Sequence, residues 1–125
     1  AWGRVFSCDD GGRVSCLSLE TGEMQSQEAK AHDSLCMSIA VSRGINGSAR
    51  ELISGGCDCQ VKVWDCVASN RPPKLLKSFR VTPAPSDSST PQLCNPPHVL
   101  SIACSSRLIA CGLGDGRLLL WGKRN

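Results

Sequence analysis

At 125 residues, with 41% apolar and 20% charged positions, the chain has room for one ordinary domain and the composition of a globular rather than a disordered sequence. A net charge of +3 carried by scattered basic residues argues against a nucleic-acid arm, and apolar runs no longer than residues 118–121 are too short to span a bilayer. No leading apolar stretch resembles a signal peptide, so the expected location is cytoplasmic or nuclear.

Helical periodicity is absent. Short runs rich in Val, Ile, Leu and Cys alternate with Gly, Asp, Asn and Pro clusters, the pattern of an all-β chain. In chain order the expected strands are 5–8, 13–17 and 23–27 in a first unit, then 36–41, 51–54, 60–65 and 74–79 in a second. A third unit offers 99–104, 108–111 and 117–121. Residues 118–120 are uniformly apolar, as expected of a strand buried on both faces. The last strand of the first unit is polar, with Glu23, Gln25, Ser26 and Gln27, as expected at an outer edge. Residues 80–97 hold five of the seven prolines together with Ser86, Ser88, Ser89 and Thr90, which makes them a loop. Residues 42–50, with Gly44, Asn46 and Gly47, form a shorter one.

Three segments repeat a strand, a tight Gly/Asp turn and a second strand closing on a bulky apolar residue. They are Phe6 to Leu17 across Asp9-Asp10-Gly11-Gly12, Ile53 to Trp64 across Gly55-Gly56-Cys57-Asp58, and Ala110 to Trp121 across Gly114-Asp115-Gly116. Leu17 and Trp64 are 47 residues apart and Trp64 and Trp121 are 57 apart, one four-stranded propeller blade and one blade with an insertion. The reading is therefore a partial β-propeller of about three blades, two of them incomplete, divided as 1–29, 30–79, the Pro/Ser-rich insertion 80–97, and 98–125. A ring needs at least four blades to close, so this is expected to be a fragment of a larger propeller.

Nine cysteines is a high count, but it is odd, and the only close pair is Cys57 and Cys59. Cys36, Cys104 and Cys111 sit among Leu, Ile, Val and Ala, where Cys behaves as a small hydrophobe in a reduced compartment. No metal and no cofactor is expected on this reading. The alternative is a small Cys-rich metal-binding β module built on Cys57, Cys59, Cys66 and His32, although their spacing departs from the usual zinc patterns.

At His32 in Ala31-His32-Asp33, Ser54 in Ile53-Ser54-Gly55, Asp58 in the turn and the Trp64-Asp65 dipeptide, the middle unit resembles the WD-repeat family. Ala31 stands where the family has the Gly of its Gly-His pair. The resemblance implies a buried hydrogen-bond network of His32, Ser54, Asp58 and Trp64, in which each polar group would find its partner in another member. The third unit keeps only Asp115 and Trp121 of a second network: Cys111 replaces the Ser, and the His position falls at Asn95. The first unit has Ser7, but Gly11 and Leu17 occupy the Asp and Trp positions.

The resemblance further implies a non-catalytic scaffold that binds other proteins. Some members of the family are substrate receptors of cullin-RING ubiquitin ligases and dock an adaptor through Trp-Asp-x-Arg. Trp121-Gly122-Lys123-Arg124 keeps the Arg spacing without the Asp, which makes Arg124 the candidate adaptor contact; the alternative is a solvated charge of Lys123 and Arg124 at a blade edge. No nucleic acid and no membrane is expected as a partner. Enzyme readings fail on context, because Gly112-Leu113-Gly114-Asp115-Gly116 leads into a strand instead of the helix that a dinucleotide loop needs. Thr82-Pro83 and Thr90-Pro91 in the insertion are candidate sites of proline-directed phosphorylation.

Overall fold

The computed structural model describes residues 3–28, 30–44, 47–68, 71–83 and 96–123. Among them the chain forms ten strands and no helix. The strands are β1 (Arg4–Cys8), β2 (Val14–Ser18), β3 (Met24–Glu28), β4 (Cys36–Arg43), β5 (Ala49–Gly56), β6 (Gln60–Asp65), β7 (Lys74–Arg80), β8 (Val99–Cys104), β9 (Leu108–Leu113) and β10 (Leu118–Gly122). They make three antiparallel sheets of consecutive neighbours: β1-β2-β3, β4-β5-β6-β7 and β8-β9-β10. Sequential hairpins of this kind follow from tight turns that return each strand beside its predecessor.

The sheets pack face to face in chain order. Leu52 and Trp64 of the second sheet, with Cys66 just beyond β6, meet Val14 and Phe6 of the first, and Ala31 and Cys36 close the layer. On its other face, Ile53, Val61 and Val63 meet Val99, Ile102, Ile109 and Cys111 of the third sheet. Strand alternation produces this division, since Leu52 and Ile53 are neighbours in sequence and point to opposite faces. Each fully buried Leu, Ile or Val contributes about 1.5–3 kcal/mol. The inner strands are also tied by a polar contact, the Ile102 N–H donating to Ser38 Oγ at 3.0 Å.

Two expectations change. The loop placed at 42–50 is shorter than expected, because the β4–β5 ladder continues through Ser42↔Glu51 and Arg43↔Ala49, and Gly47 N–H donates to Gly44 O at 2.9 Å. The third unit's apolar strand is not buried on both faces, since Leu118 and Leu120 are 68% and 62% exposed. Their positional counterparts Val61 and Val63 are buried because the third sheet covers them, whereas no further sheet covers β10 among the described residues. Much of the 80–97 insertion lies outside the described residues; Arg80 ends β7, and residues 81–83 and 96–98 are coil.

Candidate functional site

Each sheet carries one tight turn of the same geometry. The pairs Cys8↔Val14, Gly55↔Val61 and Gly112↔Leu118 set the three hairpins in register, which makes Gly12, Cys59 and Gly116 equivalent. All three have left-handed backbone, with φ of 78°, 61° and 90°, and each N–H closes the turn onto the carbonyl three residues back. Gly reaches that conformation freely, while Cys59 holds it against its own Cβ.

The turn before β6 anchors a continuous polar chain inside the second sheet. Trp64 Nε1–H donates to Ser54 Oγ at 2.8 Å, and Ser54 Oγ lies 2.8 Å from His32 Nε2. His32 Nδ1 lies 2.9 and 3.0 Å from the two carboxylate oxygens of Asp58. One tautomer satisfies every member: Nδ1–H donates to Asp58, Nε2 accepts from the Ser54 hydroxyl, and that oxygen accepts from the indole. The Asp58 carboxylate also accepts from the Asp33 and Gln60 N–H groups, both at 3.2 Å, so it pins the β3–β4 connection to the β5–β6 turn. His32 and Ser54 are buried, and burial pushes the imidazole pKa below its ordinary value, with Asp58 opposing. The structure thus brings His32, Ser54, Asp58 and Trp64 together.

Asp115 and Trp121 are not joined in this way. Asp115 turns to Arg117, accepting from its backbone N–H at 3.1 Å and its Nε at 2.9 Å, and that side-chain bond holds the carboxyl below the usual range. Arg117 Nη2 also donates to the Thr82 carbonyl at 2.5 Å, tying the turn to the start of the insertion. Trp121 stacks on Phe79 of β7, ring centroids 5.6 Å apart. Cys111, at the Ser54 position, is buried with its thiol pushed up to about 11. Asn95, Thr90 and Arg124 lie outside the described residues. Lys123, read from sequence as a solvated edge charge, instead has a side chain only 9% exposed, folded back toward Glu51.

The first sheet holds a carboxylate that pattern reading passes over. Gly11 occupies the Asp58 position, but Asp9 reaches across the same turn, accepting from the N–H of Gly11 at 2.9 Å and of Arg13 at 3.1 Å and pairing with Arg13 Nε at 2.8 Å. This is the Asp115–Arg117 arrangement supplied from two residues earlier. An Asp opening a Gly-Gly turn four residues before an Arg, as in Asp9-Asp10-Gly11-Gly12-Arg13, is the local signal that could have found it.

The metal-binding alternative does not fit this geometry. Cys59 and Cys66 flank β6 at opposite ends, about 20 Å apart for a strand of that length. Among the described residues no three His, Cys, Asp or Glu side chains gather to hold a metal ion. The described cysteines form no disulfide, and burial raises the thiols of Cys36, Cys66 and Cys111.

Residues 24–65, which contain all four members of the network, match the family model described as WD domain, G-beta repeat. No curated protein matches the chain. Among solved structures the chain is similar to the computationally designed Ika8 protein, with a TM-score of 0.70 at 20% identity over 97% of this chain and 30% of that one. It is also similar to the computationally designed Ika4 protein, at 0.67 and 20% identity over 96% of this chain and 60% of that one. The C-terminal WD40 domain of Sif2 gives 0.68 and 16% identity over 98% and 32%. The chain thus spans between 30% and 60% of the length of these structures. Its fold is that of a partial β-propeller, its three sheets are blades, and the match to a WD repeat covers residues 24–65.

Proposed function

We propose that the chain is part of a non-catalytic scaffold for protein–protein interaction. The observation that carries this reading is the satisfied His32–Ser54–Trp64 chain closed by Asp58. It uses His32, Ser54 and Asp58 to fix two turns, each of the three engaged by another member of the network. Rigid turns on a packed scaffold are where binding residues can be presented at little ordering cost. The WD-type repeat supports the same assignment. The burial of Cys16, Cys36, Cys66 and Cys111 as single thiols supports a cytoplasmic or nuclear setting.

The finer proposal is a substrate receptor of a cullin-RING ubiquitin ligase, supported by the spacing of Trp121-Gly122-Lys123-Arg124, with Arg124 as the adaptor contact. The likeness of residues 30–121 to WD repeat-containing protein 53, in Lys30-Ala31-His32, the Pro/Ser-rich stretch and Gly114-Asp115-Gly116, belongs with it. Affinity capture on the immobilised chain tests both levels. Retention of specific partners by wild type, and their loss when His32→Ala loosens the turns, is the expected result. Full retention of a ligase adaptor by Arg124→Ala would remove the receptor assignment and leave the scaffold.

A further inference from the structure

Between the second and third blades, at the Glu51 end of β5 and away from the His32 turn, lies a cavity of about 510 Å³. Its floor is apolar, made by Val63, Ile109 and the stacked Phe79 and Trp121 rings. Its charged lining is unbalanced: Arg43, Arg50, Lys77 and Lys123 face only Glu51 and Asp65. Lys123 is the unusual member. Its side chain is 9% exposed, its Nζ is buried without a hydrogen-bond partner, and the nearest carboxylate oxygen, Glu51 Oε1, is 3.9 Å away, too far for a hydrogen bond.

An ammonium carries three N–H donors and no acceptor, and a buried one left unfilled is unfavourable unless something supplies an acceptor. An anionic oxygen placed at Lys123 Nζ would supply that acceptor. A monoanion suits the site better than a phosphate, because Glu51 stands beside the vacant donors and would repel a dianion more strongly, while Arg43 Nη1 is already engaged with the Gly47 carbonyl at 2.9 Å. The aromatic floor adds a requirement for an apolar group next to the charge.

We propose that this cavity binds an acidic–apolar peptide segment of a protein partner. An Asp or Glu carboxylate accepts from Lys123 Nζ, and the neighbouring apolar side chain packs on the Phe79–Trp121 stack. The inference rests on the scaffold reading above and names the chemistry of one partner surface.

The test is a calorimetric titration of the chain with the capped peptide acetyl-Gly-Leu-Glu-Leu-Gly-amide and with its counterpart carrying Gln in place of Glu. The expected result is saturable one-to-one binding, with the Glu peptide about tenfold tighter or better. Lys123→Met should abolish the preference and Lys123→Arg should keep it. If Lys123→Met fails to fold, Phe79→Ala serves instead: it should weaken both peptides together and leave the Glu-to-Gln ratio intact. Equal binding of the two peptides to wild type, or a preference that survives Lys123→Met, overturns the proposal. Capture of cellular partners by Lys123→Met as by wild type, with no peptide binding to either, dismisses this cavity and leaves the scaffold standing. Peptide binding without any captured partner supports the cavity and counts against the scaffold.

Discussion

The carbonyl oxygen of Gly12, in the first blade's turn, accepts a 3.0 Å hydrogen bond from the His32 N–H of the second. The turns approach so closely there that a Cβ on Gly12 would stand 2.1 Å from the His32 carbonyl oxygen. The Cys36 N–H adds a second inter-blade bond, to the Asp9 carbonyl at 3.1 Å. Backbone rather than side chains therefore fastens this end of the first blade to the histidine whose ring organises the second.

Gly12→Ala should be among the more destabilising small substitutions in the chain. It combines left-handed backbone with a contact that only displacement of the His32 turn can relieve, so the cost should be about 2–4 kcal/mol. Gly116→Ala is the matched control: φ is +90° but nothing lies within 4 Å of the added Cβ, leaving about 1 kcal/mol of conformational strain. Urea midpoints for the two variants should differ accordingly. Similar midpoints would mean that the first blade does not seat on His32.

Cys59 invites the opposite change. It holds φ of 61° at the turn position where the other two blades have glycine. Cys59→Gly should relieve about 1 kcal/mol of left-handed strain, part of which is offset by the greater freedom of glycine in the unfolded chain. A small net stabilisation, about 0.5 kcal/mol, is the expected outcome in equilibrium unfolding. A clear loss of stability would show that the Cys59 side chain contributes packing that outweighs its backbone strain.

The hairpins were legible because their signals are local. Val61 and Val63 alternate with Gln60 and Lys62, and β6 begins where that alternation does and runs on through Trp64 to Asp65. Turn glycines at 12 and 116 mark two of the three returns. Cys59 gives no such mark, because its conformation is imposed by the strands on either side. Asp9 was missed for a related reason: a carboxylate can reach the same N–H groups from a different position, and pattern matching reads positions. Exposure of Leu118 and Leu120 depends on which sheets are present to cover them, and an apolar strand reads the same covered or bare. The Lys123 cavity was not legible at all. It forms where β5, β7 and β10 converge, and the sequence places Lys123 beside Arg124 as an ordinary surface pair.

The buried imidazole makes stability depend on pH in a fixed direction. Burial lowers the His32 pKa below 6.5 in the folded chain, so in the interval between the two values the unfolded chain binds more protons. The stabilisation is complete above about pH 6.5 and is lost as pH falls below that toward the folded value. Unfolding free energies of wild type and His32→Gln, measured from pH 8 down to pH 5, should therefore converge on acidification. Parallel curves would mean that His32 keeps an ordinary pKa, and a gap that widens on acidification would mean that the Asp58 carboxylate outweighs burial.

The two blade tryptophans should differ in what their removal costs. Trp64 is 4% exposed, fills the layer between the first and second blades with Val14 and Leu52, and donates to Ser54, so Trp64→Ala opens a closed cavity and removes one hydrogen bond from a buried chain. The expected loss is about 3–5 kcal/mol. Trp121 is only half-buried, has Cys111 where Trp64 has Ser54, and borders a cavity that already exists, so its removal enlarges an open space instead of creating a closed one. Its principal partner is Phe79, and the stacking itself is worth about 0.5–1.5 kcal/mol beyond the buried area. Trp121→Ala should accordingly shift the urea midpoint by clearly less than Trp64→Ala, while exposing Phe79 and the cavity floor to solvent. Equal shifts would show that the stacked pair holds the third blade to the second as firmly as the polar chain holds the turns of the second.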